Sequence, residues 1–438
     1  MEYGGKSGFD GANVKANLIL KDSRVVIENS TIANSAQFGI LIRSSTVNLE
    51  GFKANTIALN NCPIKANSHT FEYFDQASDY SGNTLDYIDS EHVSTLLSNA
   101  VWKNLNVPYK LANNVIQIDA DLEIMEGTTL LGQPNCGLNI LKEGALYAVG
   151  TASLPISFIG EEDIKGYWKG VNIQSNKTRN VLDHVLISNG GEKGFDGANV
   201  KANLTVEDNG RIKIRNSTFS KSPVSGVHIR DILTIVDEFK NNRITDNAVP
   251  ITCKMNHFHY FDIDSDLTGN IDDAIATTGA NSATTVNGSW IHTSVPFKLV
   301  RLEFIGSEII IGKGVEIIGL DNAGIEVKVD GTITVNGTSS EPVIFRGNVD
   351  VQGYWRGIRV ESSSTKNVFN NAIVSNGGSS GFTSTDRISD IQITGILEVN
   401  NSVIKNSLGY GVRVESGGVF VESNNIYSNN FLGDVYFD

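Results

Sequence analysis

Along this chain, apolar side chains alternate with polar ones over runs of three to five residues, and clusters of Asn, Gly and Ser separate the runs. TITVNG (Thr332–Gly337), VIFRG (Val343–Gly347), GIRVES (Gly357–Ser362) and GVRVES (Gly411–Ser416) are representative. A period of two is the strand period. In Gly357–Glu361 it places Ile358 and Val360 on one face and Arg359 on the other. Successive runs begin roughly 8–14 residues apart, so three of them would close a coil of about 20–25 residues. No helical pattern recurs between them, which argues against strand–helix–strand units. Ser90–Trp102 has the apolar spacing of a short helix through Val93, Leu96, Leu97 and Val101, but its counterpart in the next copy is richer in Thr and Gly, so it reads as a loop decoration.

The chain also repeats at long range. GFDGANVKANL at Gly8–Leu18 returns at Gly194–Leu204, 186 residues on, and SNGGEKGF at Ser188–Phe195 returns as SNGGSSGF at Ser375–Phe382, 187 residues on. GYWKG (Gly166–Gly170) pairs with GYWRG (Gly353–Gly357), LPISFIG (Leu154–Gly160) with EPVIFRG (Glu341–Gly347), and PYKL (Pro108–Leu111) with PFKL (Pro296–Leu299). All four tryptophans belong to such pairs, Trp102 with Trp290 and Trp168 with Trp355. These matches divide one continuous body, 1–438, into a partial unit 1–145, a full unit 146–332 and a partial unit 333–438. The first copy begins beyond the point where its own GYW segment should stand, so further coils are expected upstream of Met1.

A strand this short cannot bury its apolar side alone, but coils stacked about 4.8 Å apart shield one another's. The predicted fold is therefore all-β, a single-stranded right-handed parallel β-helix of about 18–20 coils and roughly 85–95 Å. NSTI (Asn29–Ile32), NSTF (Asn216–Phe219), NNAI (Asn370–Ile373) and NSVI (Asn401–Ile404) read as one corner reused. Asn there supplies a permissive backbone and an amide that can bond along the stack. A β-propeller would need blades of about 40–50 residues, which is not the period here.

Composition sharpens this picture. The 43 glycines against 8 prolines suit many tight corners, and 40% hydrophobic residues suit a large core. A net charge of −14 argues against a nucleic-acid partner. No apolar run is long enough to span a membrane. Cys62, Cys136 and Cys253 show neither a CxxC nor an even pattern, and are expected to be buried free thiols.

The succession from Gly127 to Gly160, with GYWKGVNIQS (Gly166–Ser175), NVLDHVLISNGG (Asn180–Gly191) and LTVEDNGRIKIRNSTF (Leu204–Phe219), resembles the right-handed parallel β-helix repeat proteins, pectate-lyase-like in fold. Many of these are secreted or lipid-anchored envelope proteins of Bacteroidetes and related bacteria. The resemblance covers nearly the whole chain and implies an extracellular or cell-surface location. It says little about activity. RIK at Arg211–Lys213 lacks the upstream acidic segments of a polygalacturonase signature and sits in an alternating strand.

Four constellations carry possible chemistry. In YFDIDSDLTGNIDD (Tyr260–Asp273), Asp262, Asp264 and Asp266 alternate, and with Asp273 they would suit a hard cation such as calcium. The earlier copy, Tyr73–Asp86, keeps Asp75, Asp79, Asn83 and Asp86 but breaks the alternation, which fits a turn built by Asp, Gly and Asn. His257 and His259, with Asp262 beyond, form a possible metal set private to one copy; surface histidines are the alternative. Asp10 and Asp196 in the GFDG segments should lie about 40 Å apart, too far for a carboxylate pair that needs about 5–10 Å. Tyr167, Trp168 and Lys169, with Tyr354, Trp355 and Arg356, would make sugar-stacking platforms if the rings are exposed; otherwise the rings plug a wide corner of the core.

The expected function is a non-catalytic surface scaffold, monomeric, that binds carbohydrate or a surface protein, with calcium the one cofactor in view. The alternative is a polysaccharide lyase or glycoside hydrolase acting on an acidic glycan.

Overall fold

The computed structural model describes residues 1, 14–44, 46–91, 95–112, 114–195, 200–279, 283–382 and 388–438. Asp10 and Asp196 lie outside the described residues. The chain is an all-β parallel solenoid of about 17 turns, 3% helix, so the short alternating runs do form stacked strands rather than hairpins. It divides into two compact units, Met1–Ala248 and Val249–Asp438.

In the first unit, one sheet of ten strands runs from Ala16–Leu20 to Arg243–Thr245 and a second, of six, from Ala100–Trp102 to Ile235–Lys240. A third succession starts at Val115–Ile118 and climbs through Gly137–Ile140, Gly170–Ile173 and Ala202–Val206 to Ser225–Ile229. Its register stacks Ile116, Leu138, Val171, Leu204 and Val227 in one fully buried column. Each such side chain contributes about 1.5–3 kcal/mol by leaving water. Opposite residues Gln117, Asn139, Asn172, Thr205 and His228 lie 22, 33, 33 and 23 positions apart. Several coils thus exceed the expected length, because loops such as Glu161–Lys169 interrupt them, and the turn count falls below 18–20.

The second unit repeats the plan. Six parallel strands run from Gly288–Trp290 to Val419–Ser423, and six from Leu302–Ile305 to Gly433–Phe437. Ile358 and Val360 point inward and are fully buried, while Arg359 faces outward. Ile325, Ile358, Ile391 and Val412 form a column equivalent to that of the first unit.

The corners follow the asparagine pattern. Asn29, Asn216 and Asn401 have φ of +47°, +49° and +50°, a region that Asn enters more readily than most residues. In NNAI it is the second asparagine, Asn371, that takes the corner, with φ +50°. Other asparagines tie coil to coil. Asn55 Oδ1 accepts from Ser30 N at 3.1 Å while Nδ2 donates to the Ile27 carbonyl at 2.8 Å. Asn242 does the same for Ser217 and Ile214, and Asn425 for Ser402 and Val399.

The 3-10 helices Ser68–Tyr73 and Met255–Tyr260 plug the interior where strands are missing. Phe71 packs on Trp102 and Tyr109, with ring centroids 5.2 and 4.9 Å away, and Phe258 packs likewise on Trp290 and Phe297 at 5.3 and 4.3 Å. The Ser90–Trp102 segment ends in a strand, Ala100–Trp102, and Leu96 bridges to Ile118. All three cysteines are buried free thiols, and burial pushes the Cys62 thiol up to about 12.

Candidate binding faces

The acidic segment Tyr260–Asp273 is a turn in both copies. Asp273 accepts from the Asn270 and Gly269 amides at 2.7 and 3.1 Å, as Asp86 accepts from Asn83 and Gly82 at 2.8 and 3.2 Å. Asp266 caps Thr268 through its amide and hydroxyl, as Asp79 caps Ser81. The backbone there is not a strand, so alternation no longer sets Asp262, Asp264 and Asp266 on one face, and Asp264 is exposed. Among the described residues no three His, Cys, Asp or Glu side chains are grouped as metal ligands, and of the residues expected to suit calcium, Asp262, Asp264, Asp266 and Asp273, the carboxylates of Asp266 and Asp273 accept from their own turn. His257 and His259 belong to the 3-10 helix Met255–Tyr260, where alternation no longer aligns them; His257 is fully buried and its ring stacks on Tyr260.

Of the two places open to the GYW rings, the structure gives them the core. Trp168 and Trp355 are completely buried, and their indole N–H groups donate to the Ser188 and Ser375 carbonyls at 2.8 Å. Neither ring leaves a face for a sugar. Each lies over a glycine of a neighbouring coil: a Cβ on Gly132 or Gly319 would come within 2.6 Å of the indole. The flanking residues part company. Tyr167 and Tyr354 are half-buried on one side, the Tyr354 amide bonding the Asn376 carbonyl at 2.8 Å. Lys169 and Arg356 lie on another, Lys169 over the Phe195 ring and Arg356 donating to the Asn322 and Gly381 carbonyls.

The strands that Lys169 and Arg356 precede are buried on both faces, and their outward side chains form polar ladders absent from the sequence reading. In the first unit Asn139 Nδ2 donates to Gln117 at 2.7 Å and Asn172 Nδ2 to Asn139 at 2.9 Å. Asn172 Nδ2 also donates to Glu207 at 2.7 Å, and Arg230 closes the row on Glu207 at 2.6 Å. Burial would raise Glu207, but hydrogen bonds from Arg230, Asn172 and Gln174 outweigh it and hold the carboxyl below its ordinary value. The second unit writes the same positions in charges. Glu326 stands for Asn139 and Arg359 for Asn172, 187 residues on, joined at 3.0 Å, with Lys328 and Glu361 completing a cluster. Two coils beyond Arg359, Arg413 pairs with Glu415 at 3.2 Å and Asp438 at 2.6 Å.

Two buried carboxyls of the second unit replace uncharged residues of the first. Glu303 occupies the column position of Ile116 and is 4% exposed; burial pushes it up to about 7, only partly offset by Thr277, Lys254 and Arg301. Asp390 stands where Asn203 does. Both accept from a glycine amide, Gly377 and Gly190 respectively, but Asn203 also donates to Ser220 and Asn247, whereas Asp390 Oδ2 has no partner among the described residues. Burial raises Asp390 well above the usual carboxylate range.

A further face of the second unit is open. On the outer side of Val343–Gly347, Ala372–Ser375 and Val403–Lys405, a groove of about 360 Å³ is lined by Ile344, Arg346, Asp350, Ile373, Asn376 and Lys405, among others. Register sets Arg346, Ser375 and Lys405 in one row. Asp350, on the loop that leads to Tyr354, forms a wall and accepts from Asn376 Nδ2 at 2.9 Å. The sequence hid this site because its residues come from three coils and a loop, with no motif in common.

Comparison of the chain with protein-family models, curated proteins and solved structures found no match.

Proposed function

We propose that the chain is a non-catalytic scaffold, displayed at the cell surface, whose outer sheet faces bind carbohydrate. One observation carries this reading: between matching coils the inward columns stay apolar almost throughout, while the outward residues are rewritten, Asn139 and Asn172 becoming Glu326 and Arg359, and Ile159 and Ser220 becoming Arg346 and Lys405. A constant interior under a variable exterior is what a binding solenoid requires. Right-handed winding and a place at the bacterial envelope follow from the resemblance carried by the Gly127–Phe219 segments.

The test is a glycan array probed with the full chain, paired with an assay for reducing ends and unsaturated products on polyuronides. Saturable retention on a defined glycan class without product is expected. Turnover abolished by a single acidic substitution would show a lyase or hydrolase instead.

A further inference from the structure

The groove above Ser375 differs from its counterpart in the first unit in a way that points to a ligand. There, Ser157, Ile159, Leu186 and Ser220 occupy the positions of Ile344, Arg346, Ile373 and Lys405. Lys221, which follows Ser220, is paired to Asp163 at 2.5 Å. In the second unit Asn406 replaces that lysine, and among the described residues Asp350 keeps only amide partners, Asn376 and Asn406. The positive charge has moved into the groove row. The Lys405 ammonium makes no ion pair or hydrogen bond among the described residues. Arg346 uses Nε on Glu316 and one Nη on the Gly347 carbonyl, which leaves its other Nη edge without a described partner.

Two strand spacings separate Arg346 from Lys405, about 10 Å, with the Ser375 position between them. Ile344 and Ile373 supply a half-exposed apolar floor, and Asp350 with Asn376 a polar wall. A ligand that satisfies all of these has one flat apolar face, hydroxyls at its rim and a negative charge at one edge. The volume lies in the range of sites that enclose small ligands, roughly 300–1,000 Å³. An unpaired cation in a partly enclosed groove attracts an anion most strongly where no carboxylate already neutralises it.

We infer that this groove binds a sugar residue bearing one acid group, with the acid at Lys405 and the free edge of Arg346, the ring over Ile344 and Ile373, and hydroxyls on Asp350 and Asn376. The inference rests on the carbohydrate-binding reading above and names the ligand class for one site within it.

The experiment is isothermal titration of the full chain with three probes on one backbone: cellotetraose, the same tetrasaccharide oxidised to carboxylate at C6, and its C6-sulfated form. At least one charged probe should bind ten-fold or more tighter than the neutral one, and the tighter of the two identifies the acid. Lys405→Ser, which copies Ser220, should remove that preference ten-fold or more without shifting the melting temperature. Lys405→Gln, closer in length, should do the same. Equal binding of neutral and charged probes, no binding of any probe, or charge preference that survives both variants would overturn the site. The array separates the two failures: glycan retention there, with no effect of Lys405 here, removes the groove and leaves the carbohydrate reading in place, whereas an array with no retained glycan removes both.

Discussion

Ile116 and Glu303 open matching columns, one in each unit, and the residues that follow, up to Val227 and Val412, are apolar and buried. In the first unit Ile116 continues the column; in the second a carboxyl is shut inside it. The neighbouring positions diverge in the same direction. Asn203 satisfies its whole amide, while one oxygen of Asp390 meets no partner among the described residues. The first unit's outer ladder is mostly amide, the second's mostly charge. The lesson is that coil stacking tolerates large changes of polarity at single positions, because each coil makes many other contacts with the coils above and below it, and that the second unit holds groups whose protonation matters.

Four measurements sharpen or break this contrast. Trp168→Ala, a cavity under a coil common to both units, should cost the first unit about 3–5 kcal/mol in denaturant unfolding, and Trp355→Ala the second unit as much. Unequal losses would mean that one unit leans on its indole more than the other. Glu303 comes next. A folded value near 7 lies above the ordinary carboxylate value, so its contribution is intact at low pH and is lost as pH rises from about 4.5 through about 7, a fall of about 3 kcal/mol. Amide hydrogen exchange should show that slope in Val249–Asp438, and Glu303→Ile should flatten it. Asp390→Asn, which copies Asn203, should stabilise the second unit at neutral pH by about 1–3 kcal/mol, since it removes a buried carboxyl oxygen without a partner; its thermal midpoint reads the change. Smallest is Lys366→Ala, which breaks a solvent-exposed pair with Glu308 at 2.9 Å and should change unfolding by less than about 1 kcal/mol.

Much of the solenoid was legible in the residues, because Ile358, Arg359 and Val360 announce inside and outside by alternation and the 187-residue echoes align whole coils. Glu303 was not. In Leu302–Ile305 the apolar residues Leu302 and Phe304 would be set inward by pattern alone, yet register with Gly324–Val327 turns Glu303 and Ile305 inward instead. Phe304 then faces out, under the Lys328 ammonium. The GYW rings were ambiguous for a similar reason: what decides their burial is a missing Cβ at Gly132 and Gly319, more than thirty residues away. The ladders and the Lys405 groove depend on side chains one coil apart, and local spacing carries no record of which residues a coil's length will bring together.

The three thiols, each deep in the stack and each far from ionising, make the molecule its own recorder of opening. Cys62 and Cys136 stand in different coils of the first unit, and Cys253 in the second unit. An alkylating reagent can reach each one only after its turn has come loose. The order in which the three take up label under mild denaturant would therefore trace where unwinding starts and which way it travels, with no foreign probe attached.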